Sequence, residues 1–417
     1  MSLLLKNAQI FDPESAHHGN KCDILIDKGK IASLEGEKAE EVIDLDGKLV
    51  FPGWFDFNAH FNDPGFEFKE DIDSGSMVAC MGGFTDVQLI PNTSPPLETK
   101  SDIKYILHRK SLLVDLHVSA ALSEGLRGEN LTEIYDLKNA GAVSFSDGDK
   151  SVWNSELLLK ALQYTSHVNA PIIQLPRDAS LSNTSQMHEG VMSTSLGLKG
   201  EPRLSEELIV MRDIEILRYS GGKIHFSRIS SMNSVEMIRK AKKEGLSITC
   251  DTSIHQLMFN DTSIQDFDTN YKNLPPYRCE EDRVALIEGV MDGTIDVICS
   301  NHRPQDRESK HLEFDLADYG AIALQTFYSS LIDISREIPF DKLIRCITSG
   351  PRRVLGLANH VVETGFQAKL TVVDPDRSWI LNAKTNFSKS ANSPFFEKNL
   401  KGMAIGTING DSYNFVD

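Results

Sequence analysis

GKIHFSRISSMNSVEMIRKAKKEGLSITCDTS, residues 222–253, is read as strand, helix, strand. GKIHFSRIS and SITCDTS are short apolar, β-branched runs. SVEMIRKAKKEG between them carries apolar residues at helical spacing and stops at Gly245. Such a unit favours parallel strands joined by a crossover helix. The same alternation runs outward from about residue 52 to 360. Strand-like runs are FTDVQLI, LLVDLHVSAAL, AVSFSD, APIIQL and DVICSN. Helix-like runs are KSDIKYILHRK, LTEIYDLKNAG, NSELLLKALQYTSH, SEELIVMRDIEILRYSG and EEDRVALIEGVMDG, with Asn154 and Ser205 expected as N-caps. About eight such units fit, which predicts an α/β chain built on a (β/α)8 TIM barrel. A doubly wound open sheet is the alternative, but no Gly-x-Gly-x-x-Gly follows an early strand.

The chain ends read differently. LLLKNAQIFD, KCDILIDKGKIASLEG and EEVIDLDGKLVFPG at one end, and FQAKLTVVDP, RSWILN and MAIGTINGDSYNFV at the other, are strand-like with Gly and Asp punctuation. Residues 27–30 and 46–47 are expected to be hairpin turns. The expected organisation is a barrel over 52–360 and a small β-sandwich domain composed of 1–51 plus 361–417.

The chain has 417 residues, 40% hydrophobic and 25% charged, with a formal net charge of −17. That charge opposes a nucleic-acid backbone or an anionic membrane as partner. No apolar run approaches the ~20 residues of a membrane helix, and MSLLLKNAQIFDPE lacks the pattern of a signal peptide, so a cytoplasmic protein is expected. Cys22, Cys80, Cys250, Cys279, Cys299 and Cys346 form no CxxC pair, and most of them read as small buried residues in apolar surroundings.

Chemistry in such a barrel sits after the C-terminal ends of the strands. After the first strand the chain reads Asp56-Phe57-Asn58-Ala59-His60. Residues i and i+2 share a face of a strand, so two histidines at this spacing would reach one metal; here one of the two is Asn58, a poor ligand for a transition metal.

FPGWFDFNAHFNDPGFEFKEDIDSGSMVACMGGFTDVQLIPNTSPPLET, residues 51–99, resembles the signature of the long bacterial dihydroorotases, PG-x-x-D-x-H-x-H-x-R-x-PG-x-x-x-KEDI-x-SG followed by GGFT and MPNT. AGAVSFSDG, Phe267-Asp268-Thr269-Asn270, PPYR with EEDR at 275–283, DGTIDVI at 292–298, RRVLGL at 352–357 and SKSANSPF at 388–395 extend the resemblance over almost the whole chain. It implies a zinc-dependent interconversion of N-carbamoyl-aspartate and dihydroorotate. Zinc would polarise the amide and supply hydroxide, a carboxylate would move the proton, and an arginine would anchor the substrate carboxylate.

Carried over position by position, the resemblance places the metal ligands at Asn58, His60, Gly148, Leu175 and Arg228, of which His60 alone keeps the family residue. The catalytic aspartate is Asn301. The substrate-pocket positions are Asn62 (the anchoring arginine), Asn92, Leu274, Gln305, Tyr319 and Gly320; Asn92 is retained. Zinc needs three or four converging ligands, so no cofactor is expected here although the family uses zinc. Gln174 is a weak substitute ligand at best; Asp147 and Asp149 are read as weak cation binders at most, with Gly148 between them suggesting a turn. Lys69 is placed outside the metal centre, and Glu70 and Asp71 are read as acids at a helix N-terminus. His225, His255 and His302 are read as packing or supporting residues rather than replacement ligands. Arg177, Arg228 and Arg303 are expected to converge, either as an anion pocket or as salt-bridge partners filling an abandoned site.

The resulting expectation is a non-catalytic dihydroorotase-like protein of pyrimidine biosynthesis. Inactive members of the family associate with aspartate transcarbamoylase, so the resemblance implies that enzyme as partner, together with homo-oligomerisation. Two alternatives stay open: an active cyclic amidohydrolase with an altered metal site or substrate, and an anion-binding sensor.

Overall fold

The structure is a computed structural model that describes residues 2–36, 38–109 and 113–416. Lys110 and Leu112, in the expected helix 100–110 and strand run 112–122, lie outside the described residues, as do Met1 and Asp417 at the two ends. Eight parallel strands hydrogen-bond in chain order: β1 Trp54–Ala59, β2 Phe84–Leu89, β3 Asp115–Ala121, β4 Ser144–Ser146, β5 Ile172–Gln174, β6 Ile224–Phe226, β7 Ile248–Ser253 and β8 Val297–Cys299. Every residue of β1 and β2 is buried, as parallel strands covered on both faces require.

The gap between β8 and β1 is bridged just beyond the strands. The Ser300 amide and hydroxyl both donate to Asp56 at 2.7 Å, and the His60 amide donates to the His302 carbonyl at 3.0 Å. The sheet is therefore a nearly closed barrel, and the open-sheet alternative is overturned.

Helix starts follow their caps. Asn154 Oδ1 accepts from the amides of Glu156 (3.0 Å) and Leu157 (3.3 Å) and opens the helix Ser155–His167, an arrangement that contributes about 1 kcal/mol. Ser205 does not cap its helix. The helix Leu204–Ser220 begins two residues earlier than a Ser205 cap would set, with Arg203 at the cap position and the Ser205 amide already donating to the Pro202 carbonyl at 3.1 Å. Asp71 caps Ile72–Met81 in a reciprocal pair with Ser74, whereas Glu70 is fully buried and holds Ser74 and Ser388.

Strands from both chain ends share one eight-stranded sheet. Its centre is an antiparallel pairing of Lys369–Ile380 with Leu49–Pro52, in the register Leu370↔Pro52 to Val373↔Leu49. Leu5, Ile10, Ile24, Val50, Leu370, Val372 and Ile408 build its separate apolar core. Lys28 and Gly29 (φ 48° and 72°) make the expected hairpin turn at 27–30. Asp46-Gly47 is a turn but not a hairpin. Glu41–Asp44 and Leu49–Pro52 both run parallel to Ser2–Ile10, at Leu3–Lys6 and at Gln9–Ile10. The turn offsets one edge rather than reversing it, and the Gly47 amide donates to the Asn7 carbonyl at 2.9 Å.

Under the barrel, buried Asp86 of β2 binds Arg352 (2.6 Å), Lys369 (2.7 Å) and His117 (2.9 Å). Lys369 belongs to the end sheet, so this ion cluster ties the two units together. Among the described residues no helix is long and apolar enough to cross a membrane.

Candidate functional site

β1 delivers Asn58 and His60 to the barrel mouth, as the i, i+2 spacing requires. Asn58 takes a left-handed backbone (φ 74°), which asparagine tolerates. Its Nδ2 donates to Ser227 Oγ at 2.8 Å and Asp251 Oδ2 at 3.1 Å, so its amide is committed to the barrel wall. Asp251 of β7 also bonds His225 Nε2 (2.8 Å) and the Arg228 amide (2.8 Å). His225, with Thr249 on its Nδ1 at 2.9 Å, is thus a supporting residue. His302 Nδ1 accepts the Ala323 amide at 3.1 Å, and His255 packs between Phe259 and Phe395.

The centre of the mouth is a carboxylate, Asp149, carried on the turn at Gly148. Asp149 Oδ1 accepts from Arg228 Nη1 at 2.8 Å, and Asp149 Oδ2 pairs with Arg303 Nη2 at 2.7 Å. Burial alone would raise the pKa of Asp149; Arg303, His60 and Arg228 hold it well below the usual carboxylate range. His60 Nε2 lies 3.6 Å from Asp149 Oδ2. Burial, reinforced by Arg303 and Arg228, lowers the His60 pKa to about 3 against the pull of Asp149. The imidazole is therefore neutral at pH 7, and this contact is not an ion pair. The cation partner of Asp149 is guanidinium.

Arg228, 1% exposed, also donates to Asn301 Oδ1 at 3.2 Å, while Asn301 Nδ2 donates to Asn273 Oδ1 at 3.0 Å. The Asn301 amide is thus a bridging group with both ends used, and an amide oxygen is not a base at neutral pH. Gly148 (φ 65°) makes the turn that presents Asp149, and a Cβ there would stand 1.5 Å from Asn92 Oδ1. Asn92 Oδ1 in turn accepts the Asp149 amide at 3.1 Å.

These residues do not fit a zinc ion. Leu175 is buried and offers no donor atom. Gln174 is committed to Asp213 (2.9 Å) and the Val152 amide (3.0 Å). A side chain at Gly148 would collide with Asn92, and Arg228 puts a fixed cation at another ligand position. His60 and Asp149 remain, fewer than the three protein ligands of a catalytic zinc site. Elsewhere among the described residues, His188, Cys279 and Asp282 cluster closely enough to hold a metal. Arg203 already donates to Cys279 Sγ (2.6 Å) and Asp282 Oδ2 (2.7 Å) there.

Above Asp149 opens a pocket of about 280 Å³, lined by Asn62, Asn92, Lys69, Lys150, Arg303, Gln305 and Tyr319 among others. Four of the six expected pocket positions are therefore present. Leu274 is not among them: it is buried and gives its carbonyl to Asn301 Nδ2 at 3.3 Å. Gly320 is also absent, being packed against Asn392. The expected convergence of three arginines is corrected to two, because Arg177 pairs with Glu201 at 2.7 Å. A larger cavity, about 720 Å³, lies alongside and is lined by Phe267, Arg307, Lys310 and His311 among others. It shares Gln305 with the mouth but none of the family ligand positions.

A family profile described as Dihydro-orotase-like matches residues 47–234. The chain is 37% identical over 417 residues to the dihydroorotase of Syntrophotalea carbinolica, covering 98% of this chain and 97% of that one. It is 38% identical over 419 residues to the dihydroorotase of Acetivibrio thermocellus, covering 98% of each. The L-hydantoinase of Arthrobacter aurescens superposes with a TM-score of 0.86 at 20% identity, over 99% of this chain and 95% of that one, a likeness of fold.

Proposed function

The chain belongs to the dihydroorotase family, and on that premise we propose that it is a member without dihydroorotase chemistry, a metal-free barrel in pyrimidine biosynthesis that acts as a structural partner of aspartate transcarbamoylase. One observation carries the loss of chemistry. The Arg228 guanidinium, itself at a ligand position of the family, is bound between Asp149, the neighbour of the ligand position Gly148, and Asn301 at the base position. The positive charge that a metal would bring is supplied by an arginine, which neither ionises water nor polarises a carbonyl as a Lewis acid.

The remaining roles fail with it. The Asn301 amide cannot take a proton. Asn62 carries no charge to hold a substrate carboxylate. The barrel and end sheet persist around this altered centre, and a role carried by the surface rather than the mouth is consistent with that. The choice of transcarbamoylase rests on the resemblance to inactive family members.

The test is to mix the purified chain with the aspartate transcarbamoylase of the same organism and follow sedimentation and transcarbamoylase activity. A heavier complex with raised activity is expected. Independent sedimentation at micromolar concentrations with unchanged activity would sink the partnership. Zinc content on the same sample tests the metal-free centre separately, and sedimentation of the chain alone reads its own oligomeric state.

A further inference from the structure

We propose that the barrel mouth binds a small oxyanion, on donors that stand without partners around the altered centre. The proposal rests on the metal-free reading above and adds a ligand to it.

His60 Nε2, Asn62 Nδ2 and Arg303 Nη1 are buried with no hydrogen-bond partner among the described residues. All three residues line the same 280 Å³ pocket. Leaving a buried polar group unpaired is costly, so three such groups around one cavity call for an acceptor inside it. His60 is 6% exposed, so the site is built into the mouth rather than laid on the surface. Arg303 lies two residues after Asn301, the base position. Its Nη2 is used by Asp149, which leaves Nη1 for a ligand.

The acceptors that might compete are already engaged. Asn92 Oδ1 takes the Asp149 amide, and Gln305 Oε1 takes Lys69 Nζ at 2.6 Å. Asp149 is held by two arginines, and Asp318 lies 3.3 Å from Lys69. Charge then separates an anion from water. Among the charged residues that line the pocket, Arg303, Lys69 and Lys150 outnumber Asp149 and Asp318. A locally positive pocket in a chain of net charge −17 concentrates anions. Its volume lies just under the ~300–1,000 Å³ of drug-sized sites, which suits a phosphate or a small carboxylate.

The test uses the full chain treated with chelator, its zinc content measured. Inorganic phosphate and succinate are titrated separately by calorimetry at low salt. Saturable one-to-one binding of at least one probe is expected, and the arm that binds more tightly identifies the oxyanion. Affinity should fall as salt rises. Asn62→Asp, which keeps a residue tolerant of φ 60° and exchanges a donor for an anion, should weaken binding at least tenfold. Lys150→Gln, at an exposed position, should weaken it several-fold with an unchanged melting temperature. Binding of neither probe overturns the proposal, as does wild-type affinity in both variants. Binding that appears only after zinc is added overturns the metal-free reading instead, so the two failures are distinguishable.

Discussion

Arg228 Nη1 donates to Asp149 Oδ1 across 2.8 Å inside the barrel mouth, and Arg303 Nη2 reaches the other carboxylate oxygen at 2.7 Å. One carboxylate thus takes two guanidinium groups. A catalytic zinc site offers a dication with an open coordination position; here the charge is present but spread over planar groups whose hydrogen bonds are largely spent on protein atoms.

Arg228→His restores the family residue at one ligand position and should not restore metal. Asn58, Gly148 and Leu175 still supply no imidazole or carboxylate, and Asp149 stays paired with Arg303 at 2.7 Å, so His60, Asp149 and the introduced imidazole do not make three free ligands and zinc should stay far below one per chain by elemental analysis. The change also removes one of two cations from Asp149. Breaking a buried pair costs roughly 3–5 kcal/mol, and Arg303 should keep the loss near the low end, read as a lower midpoint in urea.

Gly148→Asp should fail on sterics. A Cβ at Gly148 would sit 1.5 Å from Asn92 Oδ1, and φ 65° disfavours a side chain besides. Gly148→Ala alone should cost about 2–3 kcal/mol from backbone strain and the displaced Asn92. Asn92→Gly should recover part of that loss in the double variant. Additive losses in a double-mutant cycle would show that Asn92 is not what Gly148 accommodates.

Much of this was legible in the chain. Residues 222–253 carry strand and helix periods that need no tertiary information, and β6, the helix Met232–Lys243 and β7 follow them. Asn58, Leu175 and Arg228 could be identified as non-ligands because residue type alone decides that. Asp149 could not be placed at the centre of the mouth. Its neighbours in sequence suggest a turn, which it is, but its partners lie 79 and 154 positions away in sequence, at Arg228 and Arg303. A buried arginine demands a carboxylate, and asking which acid could meet Arg228 would have raised Asp149. Arg177 misled because a strand-end position fixes where a backbone goes, not where a side chain turns; Leu274 was placed by resemblance, and an apolar side chain there is buried while its carbonyl accepts from Asn301. Asp46-Gly47 has hairpin composition, yet only the pairing of its flanks to Ser2–Ile10 shows that the chain does not reverse there.

Asp56 gives a pH dependence. Burial raises its pKa from 3.8 to about 7, against the opposing pull of the Ser300 hydrogen bonds. The folded state therefore holds this proton more tightly than the unfolded state. The contribution is complete below pH ~4 and is lost as pH rises through about 7, on the order of 4 kcal/mol at about 1.4 kcal/mol per unit. Asn at this position accepts the Ser300 amide and donates to its hydroxyl without titrating. Asp56→Asn should flatten the difference in denaturation midpoint between pH 5 and pH 8. An equally steep profile in the variant would locate the dependence in another group.

The purified chain should neither close N-carbamoyl-aspartate nor open dihydroorotate above background, and exhaustive chelation should change nothing. Three losses lead to this independently. Without zinc, water keeps its pKa of about 15.7 instead of about 7 and attacks poorly. Without a carboxylate at Asn301, proton transfer forfeits a factor of about 10²–10⁴. Without a cation at Asn62, the substrate is not held in attack geometry. Asn301→Asp should therefore gain no turnover. It would place a carboxylate oxygen where Arg228 Nη1 now meets Asn301 Oδ1 at 3.2 Å, so the restored acid would be neutralised by that guanidinium. The combination Arg228→His with Asn301→Asp removes that block but still lacks ligands at Asn58, Gly148 and Leu175, and should stay inactive. Turnover in the native chain that disappears with chelator would mean that His60 and Asp149 recruit further ligands. Turnover that survives chelator would mean that a metal-free route exists through the arginines.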